Sequence, residues 1–229
     1  MTMNPVLNIV NLSIGQDSPI VDSINGVAFK HDLIVLTGEN GSGKSTLLKT
    51  IAGINKAISG ELIISGDPIR NLSQKQRSAK IAFASTYRIK EDFIKIEDVV
   101  RFGQYPYSHL SETQDIDSGV EKAISLMGID KIRNKYLNQV SDGEWQKANI
   151  ARVLAQQTDL ILMDEPTAFL DYPSRMRLFR DLKQICLTQS KTIIVSTHDI
   201  DSVKEFASIY WHIDQGKLSV LKESPAWRI

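Results

Sequence analysis

Gly38-Glu39-Asn40-Gly41-Ser42-Gly43-Lys44-Ser45-Thr46 carries the spacing G-x4-G-K-[ST]. Glycines there let the main chain turn tightly and bring N–H groups toward an anion. The spacing points to phosphate binding. Lys44 would reach the β- and γ-phosphates of a nucleotide, and the Ser45 hydroxyl would ligate Mg2+. A plain glycine-rich turn is the alternative, but the pattern arises by chance in roughly one chain of this size in a hundred. Asp164-Glu165 adds two adjacent carboxylates. Beside a phosphate site, one can hold Mg2+ while the other stays free to orient and polarise the attacking water. Without such a site they would read as acidic residues turning a strand into a loop at Pro166. His198 could hydrogen-bond the γ-phosphate or that water through a neutral imidazole. A surface or helix-capping histidine is the alternative. His31, His109 and His212 read as structural or solvated.

These residues need elements to hold them. The apolar run Leu33 to Thr37 predicts a strand buried on both faces that feeds the glycine-rich turn. A helix from about Ser45 to Ile54 would present its positive end to the phosphates. Leu160 to Met163 predicts a second buried strand ending at Asp164-Glu165, and Ile193 to Ser196 a third ending near His198. Strands are also expected over Val6 to Leu12, over Ile20 to Phe29 with a bend at Asn25-Gly26, near Leu62 and over Ile81 to Ala84. Helices are expected from Ser73 to Arg77, Ile96 to Phe102, Ile116 to Met127, Tyr172 to Thr188 and Asp201 to Phe206. Ser141 reads as the cap of a helix over Glu144 to Gln156. Gly103 to Thr113 reads as a loop or broken segment, and Ile209 to Leu221 as a hairpin. The sum is an α/β core with phosphate chemistry at strand ends and a helical insertion.

Composition narrows the functional classes. The 229 residues contain 27 basic and 27 acidic side chains, for a formal net charge of zero. That balance offers no electrostatic footprint for nucleic acid, so no nucleic-acid partner is expected. The single cysteine, Cys186, excludes an internal disulfide and a multi-cysteine metal cluster, and its helical face reads as buried. The start lacks a signal-peptide pattern, and no apolar run approaches about 18 residues. The expected location is cytosolic, with membrane contact only through another protein.

The ordered set Gly38 to Thr46, Val140-Ser141-Asp142-Gly143-Glu144, Ile161 to Pro166, Phe169-Leu170-Asp171 and Ser196-Thr197-His198-Asp199 resembles the ATP-binding subunit of ATP-binding cassette transporters. The resemblance spans nearly the whole chain. It implies a P-loop NTPase core with a β-rich nucleotide-binding subdomain and an inserted α-helical subdomain over about 87–158, within a single 1–229 cassette. It implies ATP and Mg2+ as ligands. Ser141 and Gly143 would contact ATP bound by a second copy in a head-to-tail sandwich dimer, and Asp171 would link the two sites. Asp142 replaces the usual glycine and is expected to point away from the phosphate or cap the helix. Gln16 stands where the family often stacks an aromatic residue on adenine. Thr86 is the nearest match to the usual glutamine and could touch Mg2+ or water. Tyr87-Arg88-Ile89-Lys90 would belong to the loop that senses an integral-membrane permease, with a solvated surface loop as the alternative.

Phe102-Gly103-Gln104-Tyr105-Pro106-Tyr107 resembles a segment of the iron-siderophore, haem and vitamin B12 importer branch, with Gln104 in place of arginine. It implies import of an iron chelate from a substrate-binding protein, at the cytoplasmic face of the membrane. Vitamin B12 is the next cargo. A non-transport role in chromosome or ribosome work is the remaining rival, and the absence of coiled-coil arms, a second cassette or a basic extension argues against it.

Overall fold

The computed structural model describes residues 4–87, 91–107 and 113–222. The phosphate-loop strand β3 (Leu33–Gly38), together with β6 (Ile81–Ala84), β7 (Leu160–Asp164), β8 (Thr192–Ser196), β9 (Ile209–Asp214) and β10 (Lys217–Leu221), forms a sheet in the order β10-β9-β3-β8-β7-β6. β9, β3, β8, β7 and β6 are mutually parallel, and β10 returns antiparallel along the edge. Every residue of β3, β7 and β8 is buried, as their unbroken apolar runs require of strands covered on both faces.

One face of this sheet meets a second, antiparallel sheet. It holds β1 (Leu7–Gly15), β2 (Pro19–Ala28), β4 (Ser59–Ile64) and the two-residue β5 (Asp67–Pro68), in the order β2-β1-β4-β5. Leu7, Ile9, Leu12, Ile34, Leu36 and Trp211 lie in the core between the two, joined by Leu47 and Leu48 from α1 (Lys44–Ile51). The opposite face packs on helices. α2 (Gln74–Lys80) precedes β6 in the chain, α3 (Ile96–Arg101), α4 (Thr113–Met127) and α5 (Asp142–Ala155) fall between β6 and β7, and α6 (Tyr172–Gln189) lies between β7 and β8. Val35, Val153, Ile161, Phe179 and Ile193 share that second core.

Several sequence expectations need correction. The helix after the phosphate loop stops at Ile51, short of Ile54, because Gly53 takes a positive φ of 70°. Asn25-Gly26 does not bend the chain out of β2. The β1–β2 ladder absorbs its irregularity as register shifts around Leu12 and Ile14. Asp201 to Phe206 forms hydrogen-bonded turns instead of a helix. The helix from Ile96 ends at Arg101, one residue short of Phe102, and the chain continues as a broken, 3-10 segment over Phe102–Tyr107. Its Gln104 is buried and donates to the Ala155 carbonyl, while Phe102 and Tyr105 are exposed. Phe102 and Tyr105 are therefore presented outward. Arg88 to Lys90 and His109 lie outside the described residues.

Cys186 on α6 is fully buried beside the Asp32 carbonyl, 3.4 Å away. Burial pushes its thiol pKa up to about 12. The native protein should therefore be inert to a thiol reagent such as Ellman's at neutral pH and react with one equivalent in denaturant. Rapid labelling of the folded protein would contradict this packing.

Candidate nucleotide site

The phosphate loop leaves β3 through a glycine that the surrounding fold demands. Gly38 has φ of 147°, and a Cβ there would lie 2.5 Å from the Ile213 carbonyl oxygen. Gly43 has φ of 106°, and its Cβ would meet Val21 Cγ2 at 2.9 Å. Both therefore need glycine on conformational and steric grounds. Lys44 is 7% exposed, and its ammonium donates to the carbonyls of Gly38 at 2.8 Å and Glu39 at 2.9 Å. The lysine thus folds over the loop it must share with a ligand. Ser42 Oγ is buried without a hydrogen-bond partner. α1 starts at Lys44 with Gly43 as a cap that supplies no side-chain bond. Its first N–H groups therefore have no side-chain acceptor from the cap, which suits an anion. Glu39, Asn40, Gly41 and Ser45 are exposed, and Ser42, Gly43 and Thr46 are half-buried.

The carboxylates meet the next strand at a shared hydroxyl. β7 and β8 run in register with Asp164 beside Ser196. Ser196 Oγ donates to Asp164 Oδ1 at 2.6 Å and accepts from the Glu165 backbone N–H at 2.9 Å. One side chain thereby fixes both acidic residues. Glu165 adopts φ of 48°, a left-handed conformation uncommon for glutamate. Its Oε2 lies 3.0 Å from Nδ1 of His198. A carboxylate only accepts, so Nδ1 carries the proton and Nε2 of a neutral ring presents a lone pair. That ring can accept from water. Donation to a phosphate oxygen through Nε2 would require the imidazolium, which refines the expectation for His198.

Ser196 was missed as a positioning residue because its apolar neighbours give only a strand signal. Arg175 was missed as well. It donates to the Leu170 carbonyl at 2.8 Å and to Asp199 Oδ2 at 2.8 Å, tying the turn before Asp171 to the segment after His198. Burial works against the charge on Asp199, yet bonds from Ser202 and Arg175 hold its carboxyl below the usual range.

Thr86 is half-buried just beyond β6, whose Ala84 pairs with Met163, so it sits at the Asp164 end of the sheet. Ser141 and Gly143 lie elsewhere. With Asp142, Glu144, Lys147, Phe169, Leu170, Asp171 and Ser174 they line a shallow groove that no phosphate-loop residue lines. Ser141 caps α5, accepting from Glu144 N–H while the Glu144 carboxylate takes the Ser141 N–H at 2.9 Å. Asp142 is exposed in the first turn and is not the cap. A Cβ at Gly143 would touch its neighbours only at ordinary distances, 3.4 Å or more, so packing does not demand glycine there. Asp171 caps α6 by accepting from Ser174 N–H. Gln16 is exposed between β1 and β2.

The donor set fits a magnesium–nucleotide ligand. Hydroxyl and carboxylate oxygens suit a hard cation, and the buried Ser42 hydroxyl and the start of α1 suit phosphate oxygens. Among the described residues no group of three or more His, Cys, Asp or Glu could hold a metal ion.

Residues 21–168 match the family model described as ABC transporter. The petrobactin import ATP-binding protein YclP of Bacillus subtilis is 34% identical over 82% of this chain and 74% of its own. The iron(3+)-hydroxamate import ATP-binding protein FhuC of the same organism is 29% identical over 97% of this chain and 83% of its own. The structure of cbiO1 from Clostridium perfringens, part of the ABC transporter complex cbiONQ, superposes with a TM-score of 0.84 at 25% identity, covering 96% and 89% of the two chains. This chain belongs to the ABC transporter family, as an ATP-binding subunit. ATP hydrolysis, binding of ATP with Mg2+ and peripheral attachment to a membrane permease are typical of such subunits.

Ser196→Ala removes the hydroxyl that fixes Asp164 and the Glu165 backbone. Steady-state ATP hydrolysis should fall about 10- to 100-fold, the usual cost of losing a supporting contact behind a ligand. Nucleotide affinity measured by equilibrium dialysis should change little, because the phosphate loop is untouched. Unchanged turnover would contradict the positioning role.

Proposed function

We propose that this chain hydrolyses ATP to ADP and phosphate in a head-to-tail dimer and so powers import of an iron chelate, a siderophore or haem, through a membrane permease. The observation that carries the catalytic part is the Ser196 bridge. It holds Asp164 for the cation and turns Glu165 toward His198. Glu165 would orient the water that attacks the γ-phosphorus, with the bond to the β–γ bridging oxygen breaking and ADP leaving. His198 keeps the Glu165 carboxylate directed and can accept from that water. Lys44 would exchange its two loop carbonyls for β- and γ-phosphate oxygens. Ser45 and Asp164, with Thr86 alongside, would hold Mg2+, which would supply charge neutralisation on the phosphates.

The dimer is favoured by the placement of Ser141 and Gly143. Their groove stands apart from the phosphate loop, and the fold itself does not require glycine at 143. A ligand carried by a second copy is a sufficient reason for that small residue. The permease reading is favoured by exposed aromatics on one segment. Tyr87, Phe93, Phe102 and Tyr105 are all solvent-accessible, a grouping suited to a partner surface. Among the described residues no helix is long and apolar enough to cross a membrane, so attachment would run through the permease at its cytoplasmic face. The iron-chelate cargo rests on the relatives named for petrobactin and iron(3+)-hydroxamate import. A substrate-binding protein would deliver it.

Glu165→Gln (E165Q) should retain ATP binding, lose about two or more orders of magnitude of turnover and accumulate as an ATP-bound dimer on size-exclusion chromatography. Full turnover by that variant would remove Glu165 from the reaction. Lys44→Ala should instead weaken ATP binding itself, because it removes a charge-assisted donor.

The cargo is tested separately, by reconstituting the permease that co-purifies from membranes. Hydrolysis should rise when an iron-chelate-loaded binding protein is added. A basal rate indifferent to that addition would leave the ATPase standing and discard the cargo.

A further inference from the structure

Strand β6 is the edge of the parallel sheet, so the carbonyls along its outer side have no strand partner. Helix α5 satisfies them with side chains. Gln156 Nε2 donates to Ile81 O at 3.0 Å, Arg152 Nη2 to Phe83 O at 2.9 Å and Asn149 Nδ2 to Ser85 O at 2.7 Å. Every second carbonyl along β6 and the residue after it is taken by a residue three or four positions earlier in the helix than the last. A turn of helix rises about 5.4 Å and two strand residues about 6.6 Å, so the two repeats nearly match.

Among the described residues the pairing stops at Ser85. The next position one turn toward the N-terminus of α5 is occupied by Trp145 and Gln146, four and three residues before Asn149, and both neighbour it on the helix surface. Trp145 is 2% exposed and Gln146 fully buried. The Trp145 Nε1 and both polar atoms of the Gln146 amide lack a hydrogen-bond partner. The continuing chain at that end is Thr86-Tyr87, with Thr86 half-buried and Tyr87 exposed. Buried amides without partners are rare and costly, and need an explanation.

We propose that the Trp145–Gln146 turn is a docking position for the backbone of Thr86 and Tyr87, filled when a magnesium–nucleotide ligand is bound. Gln146 can accept from a peptide N–H and donate to a carbonyl at once, and Trp145 can donate to one carbonyl. They act as positioning residues. They would draw Thr86 into register with the Asp164 end of the sheet and fasten it to the helix that begins at Ser141. The inference rests on the nucleotide reading given above.

The test uses the full chain with Mg2+ and a non-hydrolysable ATP analogue, with binding quantified by equilibrium dialysis. The chain has three tryptophans, and the Trp145→Phe spectrum assigns the Trp145 indole N–H among them. On ligand binding that resonance should move downfield. Amide exchange at Tyr87 should slow about tenfold as its long 3.4 Å bond to Ser85 Oγ gives way to a bond to the Gln146 amide oxygen. Gln146→Leu should bind the analogue but lose the protection. Bound analogue without an indole shift or Tyr87 protection in the wild-type protein overturns the docking position and leaves the nucleotide reading intact. Absence of binding overturns both. The wild-type readout stands even if Gln146→Leu fails to fold.

Discussion

The register between β3, β8 and β7 is the constraint on which the site depends. Leu36 pairs with Ser196, and Ser196 pairs with Asp164. The phosphate loop therefore begins two residues beyond the level at which the two carboxylates leave the sheet. In a parallel sheet every strand delivers its C-terminal end to the same side, so loops remote in sequence become neighbours. A slip of one residue would turn each inward side chain to the opposite face. The sheet is held against such a slip by burial on both faces, since either face of β3, β7 and β8 lies in an apolar core.

On that frame the acidic pair is organised by a hydroxyl more than by charge. Ser196 occupies both functions of its oxygen, donating to one residue and accepting from the next. A left-handed glutamate is unfavourable by about 1–3 kcal/mol where nothing holds it. Here the N–H bond to Ser196 and the His198 contact together fix the turn and the direction of the carboxylate. Arg175 extends the same network by joining the Leu170 carbonyl to Asp199. The Asp171 turn and the His198 turn are thus mechanically linked.

Much of this was legible in the sequence, for identifiable reasons. Buried strands announce themselves as apolar runs, so β3, β6, β7 and β8 were located to within a residue or two. Glycines with a steric duty, such as Gly38 and Gly43, sit in a recognisable spacing. The capping role of Ser141 followed from the polar residue before a helical run. Other features left weaker traces. Ser196 looks like any small residue at the end of a strand, because its importance lies in cross-strand register. The two-residue β5 has no periodicity to read, and the turns over Asp201 to Phe206 imitate a short helix in composition. Gln104 looks like a surface residue but is drawn inward by the Ala155 carbonyl at the end of α5.

α5 unites these levels. Its C-terminal half is bonded to backbone at four points: Gln156 takes Ser78 and Ile81, Arg152 takes Phe83, and Asn149 takes Ser85. Burial also disfavours the charged form of Arg152 and lowers its pKa, so that its carbonyl bonds must offset a real desolvation cost. A helix pinned in this way moves with the edge of the sheet. Its N-terminal half carries the opposite condition, buried polar atoms without partners followed by an exposed cap. Local rearrangement is cheapest where the fewest native bonds must be broken. The first turns are held by the Ser141–Glu144 cap and the Lys135–Glu144 ion pair at half-exposed and exposed positions, so a response of the helix to events at the sheet end is cheapest there.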